Sequence, residues 1–71
     1  MDKPNYDAVY NDDGSENLDK TYERSVLNVR YLYEVKKIPI PMACNQVQEK
    51  MHLTYQERER LYKESKEKYG D

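Results

Sequence analysis

Seventy-one residues allow one domain, and a domain this small buries only about 60% of the surface its unfolded chain exposes. Charged and hydrophobic residues each make up 37% of the chain, which implies a thin core and leaves no stretch of membrane-spanning length. The net charge of −2 conceals an asymmetry, because residues 1–19 carry six acids and one base while residues 20–71 carry eight acids and eleven bases.

Single residues exclude more. Cys44 has no second cysteine to pair with, and Cys44 with His52 falls far short of a four-ligand zinc set. No metal or cofactor is expected, and a reducing cytoplasm is the expected setting. The start of the chain, MDKPNYDAVYNDDG, has no apolar run of the signal-peptide kind, so no cleaved leader is expected. Only Gly14 and Gly70 are present, which excludes a glycine-rich phosphate loop. Three serines and one histidine, none in a nucleophile context, argue against an enzyme. Eight tyrosines stand where phenylalanine and tryptophan are absent, and tyrosine suits thin cores and interfaces because its ring buries while its hydroxyl stays near water.

Residues 1–17 offer Ala8 and Val9 as their only aliphatic residues after Met1, together with a turn cluster at 11–15. That is too little apolar area to offset the entropy of ordering them, so the segment reads as an acidic tail, disordered or loosely docked. Tyr6 and Tyr10 punctuate it among acids.

Residues 18–37 fit two templates. Helical spacing joins Leu18, Tyr22, Val26, Val29, Leu32 and Tyr33 in one stripe, whereas strand alternation joins Leu27, Val29, Tyr31, Tyr33 and Val35. The length without glycine or proline exceeds an ordinary strand and favours a helix, with a β-hairpin within 25–40 as the alternative. Pro39 and Pro41 then force an extended connector, and Pro41 suits the first turn of a short helix over 41–51. Thr54 and Glu57 have the T-x-x-E spacing of a capping box, with Leu53 as its staple, and open a last helix over 54–69 that Gly70 closes. Glu59 with Lys63 and Glu64 with Lys68 are expected as ion pairs one turn apart.

The expected fold is therefore all-α: a three-helix domain over 18–71 carrying an acidic tail over 1–17, with an α+β hairpin form as the alternative. The strip Val47 to Leu61 resembles a helix-turn-helix: an apolar residue, another four on, a short turn, then a capped recognition helix. Gln48, His52 and Arg58 depart from that pattern where a small residue, a glycine and an aliphatic residue are usual. The resemblance implies sequence-specific DNA binding by a transcription regulator or an excisionase-like protein, as a dimer. Glutamates interleaved with the lysines and arginines of the last helix would repel phosphate, which disfavours nucleic acid as the partner.

Exposed tyrosine and arginine dominate protein interfaces, so Tyr55, Arg58 and Tyr62 on one face of the last helix form the first candidate partner surface. Arg30 and Tyr31 form the second, and Tyr6 and Tyr10 in the acidic segment the third. In size and make-up the chain resembles the accessory proteins that phages and mobile elements make against host machinery such as RNA polymerase or a nuclease. That resemblance implies a non-catalytic cytoplasmic regulator that inhibits a larger protein or complex by steric docking. A homodimer is the remaining arrangement that a thin core makes reasonable.

Overall fold

Asn17 starts the first helix, its side chain accepting from the Lys20 N–H at 3.0 Å. The computed structural model describes residues 3–70; Met1, Asp2 and Asp71 lie outside the described residues, and with Asp2 one acid of the expected tail. Helix α1 covers Leu18–Glu34, and the strand alternative over 25–40 does not form: the described residues contain three helices and no strand. Helical burial explains the choice. Tyr22, Val29 and Leu32 lie in the core, whereas a strand would have gathered Leu27 and Val35, which are 60% and 46% exposed. Leu18, expected on the buried stripe, is 62% exposed.

The helix stops short of position 37. Pro39 holds Ile38 out of the helical region, so the chain must turn before it. It does so through Lys37 in the left-handed region, and the Ile38 N–H donates back to the Leu32 carbonyl at 2.9 Å.

Helix α2 covers Ile40–Met51, with Pro41 in its first turn as expected. Ile40, Ala43, Cys44 and Val47 have no exposure at all, and Met51 closes the same face at helical spacing. His52 ends the helix at φ +56°, a position glycine usually takes. Helix α3 covers Tyr55–Tyr69, and its capping box forms: the Glu57 N–H donates to Thr54 Oγ1 at 3.1 Å and the Thr54 N–H to Glu57 Oε1 at 3.0 Å. Leu61 and Ser65 are the buried residues of α3, and the Tyr33 and Tyr69 rings meet at 4.6 Å between centroids. Each helix packs on both others.

Two local expectations differ from what forms. Glu64 pairs with Arg60 at 2.8 Å rather than with Lys68, and Glu59 pairs with Arg58 at 2.7 Å rather than with Lys63. Arg60 is drawn to its position by the Tyr22 ring, whose centroid lies 4.3 Å from the guanidinium carbon.

Residues 3–17, expected as an acidic tail that is disordered or loosely docked, run as an extended arm along α1 and fold back through a turn. The Asn11 carbonyl accepts from the Gly14 N–H at 3.0 Å, Gly14 supplies the positive φ, and Tyr10 faces Glu16 in an isolated bridge. Composition does not decide between disorder and docking because main-chain groups make most of the arm's bonds.

Leu61 fills the space where α3 meets the other helices with no exposure. Leu61→Ala should therefore cost about 2–5 kcal/mol, as much as the whole stability of about 3–5 kcal/mol that such a core supplies. Urea titration followed by circular dichroism at 222 nm should show the variant largely unfolded without denaturant, and a wild-type midpoint would contradict the packing described.

Tyr22 gives a pH signature. Its hydroxyl is buried without a hydrogen bond of good geometry and faces the Glu64 carboxylate. Burial first, and Glu64 second, push the phenol up from 10.0 to about 12. The folded state thus holds its proton more tightly than the unfolded chain, so stability is complete below pH 10 and falls as pH rises towards about 12. Tyr22→Phe should flatten that alkaline loss in thermal melts and hold or slightly raise stability at pH 7; an unchanged alkaline profile would contradict the assignment.

Candidate functional site

The face that gathers chemistry is the one the arm covers. Helical geometry places Arg24, Leu27 and Tyr31 on adjoining turns of α1, with Arg30 beside them. The arm brings Lys3 and Pro4 against this row and closes a cleft of about 320 Å³. A second cleft, of about 640 Å³, lies beyond Tyr31, where Lys3 and Tyr6 from the arm meet Ile38, Lys36 and Lys50 from the connector and α2. Tyr31 and Lys3 line both clefts.

No carboxylate lines either cleft, although the chain as a whole is acidic. Five cations, Lys3, Arg24, Arg30, Lys36 and Lys50, stand around two tyrosine rings. Arg30 shares part of its charge with Glu34 at 2.7 Å, an exposed pair. Such a pair contributes little to stability and orients the guanidinium more than it neutralises the face.

Tyr6 is the anchor of the arm. Its ring packs against the core while Lys50 Nζ sits 5.0 Å from the ring centroid. Burial pushes its phenol above the usual value, and nearby Tyr31 pushes in the same direction. At physiological pH the ring is neutral and its hydroxyl remains a donor as well as an acceptor.

The arm backbone is held by three α1 side chains. The Asn28 amide accepts from the Asn5 N–H at 3.1 Å and donates to the Asn5 carbonyl at 2.8 Å. Arg24 Nη1 donates to the Asp7 carbonyl at 2.8 Å, and Thr21 Oγ1 accepts from the Val9 N–H at 2.9 Å. Thr21 and Asn28 are 2% and 3% exposed, so each is a buried polar group satisfied by the arm.

The three surfaces expected from sequence fare differently. Tyr6, Arg30 and Tyr31 come together around the two clefts. Tyr55 is 69% exposed, but Arg58 is committed to the fold, its Nε donating to Asn45 Oδ1 of α2 at 2.6 Å while Nη1 pairs with Glu59. Tyr62 is half-buried against the core with Lys66 Nζ 5.9 Å from its ring, so Tyr55 stands nearly alone on that side. Tyr10 is 63% exposed at the base of the acidic turn and lines neither cleft.

Sequence reading missed Lys3, Arg24, Lys36 and Lys50. Arg24 was accessible from helical spacing to Tyr31, but the lysines come from the arm, the connector and α2, which no local pattern joins. Cys44 is fully buried in the core, and burial raises its thiol pKa, so it is held as an unreactive thiol. Among the described residues no three histidines, cysteines or acids are placed to hold a metal ion, and no helix is long and apolar enough to cross a membrane. Comparison with protein families, with curated proteins and with solved structures finds no match to this chain.

Removing Asn28's amide leaves the Asn5 N–H and carbonyl without their partner. Asn28→Ala should cost about 1–3 kcal/mol of arm docking and raise hydrogen exchange at the Asn5 and Val9 amides while the amides of α2 stay protected. Unchanged exchange at Asn5 would show that the amide does not hold the arm.

Proposed function

We propose that this chain is a small non-catalytic regulatory module that acts by docking on a larger cytoplasmic protein or complex, through the arm-covered face of α1. The observation that carries the reading is charge segregation: five cations around Tyr6 and Tyr31, with no carboxylate in either cleft, on a chain of net charge −2. A surface of this make-up recognises an acidic partner and steers its approach, and Tyr with Arg supply the contact energy. The mechanism is steric, by occupation of an acidic surface of the partner. Accessory regulators that inhibit host transcription or nucleic-acid machinery work in this way, and this chain is similar to them in size and make-up.

A DNA-binding helix-turn-helix is the second reading. The left-handed His52 between α2 and the capped α3 supports it, since it gives the turn that motif needs. Against it, Arg58 and Arg60 of α3 are bonded to Asn45, Glu59 and Glu64, which leaves fewer free cations for phosphates.

The test is capture from a nuclease-treated lysate with wild-type protein and two variants, scored for one stoichiometric partner. Arg30→Glu with Lys50→Glu should reduce capture at least tenfold and leave the helical circular-dichroism signal intact, while Tyr55→Ala should leave capture unchanged. Loss of capture with Tyr55→Ala alone would place the surface on α3 instead, and disappearance of all bound material with nuclease would favour the DNA reading.

A further inference from the structure

The arm is read through its main chain, and in a regular pattern. Asn5, Asp7 and Val9 are alternate residues of an extended segment, and their backbone groups meet Asn28, Arg24 and Thr21 in that order. The arm therefore runs antiparallel to α1. Two residues of extended chain advance about 6.8 Å, and one turn of helix advances about 5.4 Å, close enough for one polar side chain per alternate residue. Thr21 also offers its hydroxyl to the Val9 carbonyl at 3.4 Å, so two of the three side chains face both the N–H and the C=O of one residue.

Recognition of this kind is indifferent to the side chains it passes. The one side chain of the arm that enters the core is Tyr6, under Lys50. The arm residues that line the two clefts, Lys3 to Tyr6, include no acid, and among the described residues Arg24, Arg30, Lys36 and Lys50 of this face form no ion pair with an arm carboxylate. The arm thus fits the row through its main chain and the Tyr6 ring and leaves the charge of the face unmatched, which the carboxylates of an acidic segment would match. Thr21 and Asn28 are buried beneath the arm, and both would lose their main-chain partners on it if the row stood empty, Asn28 keeping only its contact with Met51 Sδ at 3.2 Å.

We propose that the Thr21, Arg24 and Asn28 row of α1 is a peptide-binding track, which the arm fills as a tethered stand-in. Its ligand in trans is an extended acidic segment of a partner protein, with an aromatic ring where the arm has Tyr6. This rests on the reading of the α1 face as the docking surface and names what docks there. A short tether holds the arm at an effective concentration on the order of mM, so the arm sets a threshold that the partner segment must exceed. The partner exceeds it through contacts the arm leaves open, at Arg30, Leu27 and Lys36 in the two clefts.

The test uses the full chain and a fluorescein-labelled peptide of residues 3–13, KPNYDAVYNDD, in fluorescence anisotropy. Asn5→Pro removes the N–H that Asn28 accepts, and Tyr6→Ala removes the ring; either variant loosens the arm and leaves the track intact. Both should bind the peptide at least tenfold tighter than wild-type protein does, and the affinity should fall as salt is raised. Adding Asn28→Ala to either variant should lose that gain. A peptide methylated at the Val9 nitrogen should bind at least tenfold more weakly, while one methylated at the Ala8 nitrogen should bind as the parent does.

Equal affinities for the two methylated peptides, or no binding to either loosened variant, would overturn the track. So would collapse of helicity in both loosened variants, since the arm would then be core rather than stand-in. Sedimentation of the loosened variants as arm-exchanged dimers would make a second copy the occupant and overturn the partner assignment. None of these readings needs a partner from a lysate, so a failed capture experiment and a failed track are told apart.

Discussion

Helix α2 is a twelve-residue element on which both longer helices close, and its apolar row of Ile40, Ala43, Cys44, Val47 and Met51 is the surface they share. A chain of this length has too little apolar material for two separate cores, so one short helix must serve as partner to α1 and α3 at once. Ala43 and Cys44 are small and fully buried, and the aliphatic residues on either side fill the space that remains. The two proline-bearing positions and the left-handed residues at its ends set where α2 begins and stops. With those ends fixed, the angles available to α1 and α3 are few.

Around that core the polar groups divide into two kinds of work. Asn45 and Arg58 tie α2 to α3, with Glu59 paired to Arg58 within α3, and Arg60, Glu64 and Tyr22 tie α3 to α1. These groups are spent within the fold. Those on the arm side of α1 are different in kind: Thr21, Arg24 and Asn28 bond outward to a segment that belongs to no helix. A molecule with few apolar contacts keeps its helices together with one set of polar side chains and holds a loosely attached segment with another.

Much of the fold was legible in the sequence. The proline pair and the T-x-x-E spacing name the second and third helices almost to the residue, because both act through local backbone sterics and capping that sequence neighbours alone determine. The first helix was ambiguous because Leu27, Tyr31 and Val35, which suggest strand alternation, lie on its less buried side, while Thr21, Ser25 and Asn28 in the buried stripe are polar and invisible to a hydrophobic pattern. The candidate site was legible only at Tyr6, Arg30 and Tyr31. Its lysines come from segments far apart in the chain, and its row of Thr21, Arg24 and Asn28 bonds backbone atoms of the arm, which carry no residue identity. The engagement of Arg58 within the fold was not legible for a related reason: nothing in the spelling of Arg58 shows that Asn45, on another helix, stands within hydrogen-bonding distance.

An arm held by its main chain leaves most of its own side chains free to vary. Apart from Tyr6 and the turn at 11–15, most substitutions along residues 3–10 change what the molecule presents while leaving in place the main-chain bonds that hold the arm. Charge at Asp7 or bulk at Val9 becomes a dial for how firmly the covered face is held shut, set separately from the three helices beneath. The domain thereby separates two traits that small proteins usually carry on the same residues: how well it folds and how readily it opens.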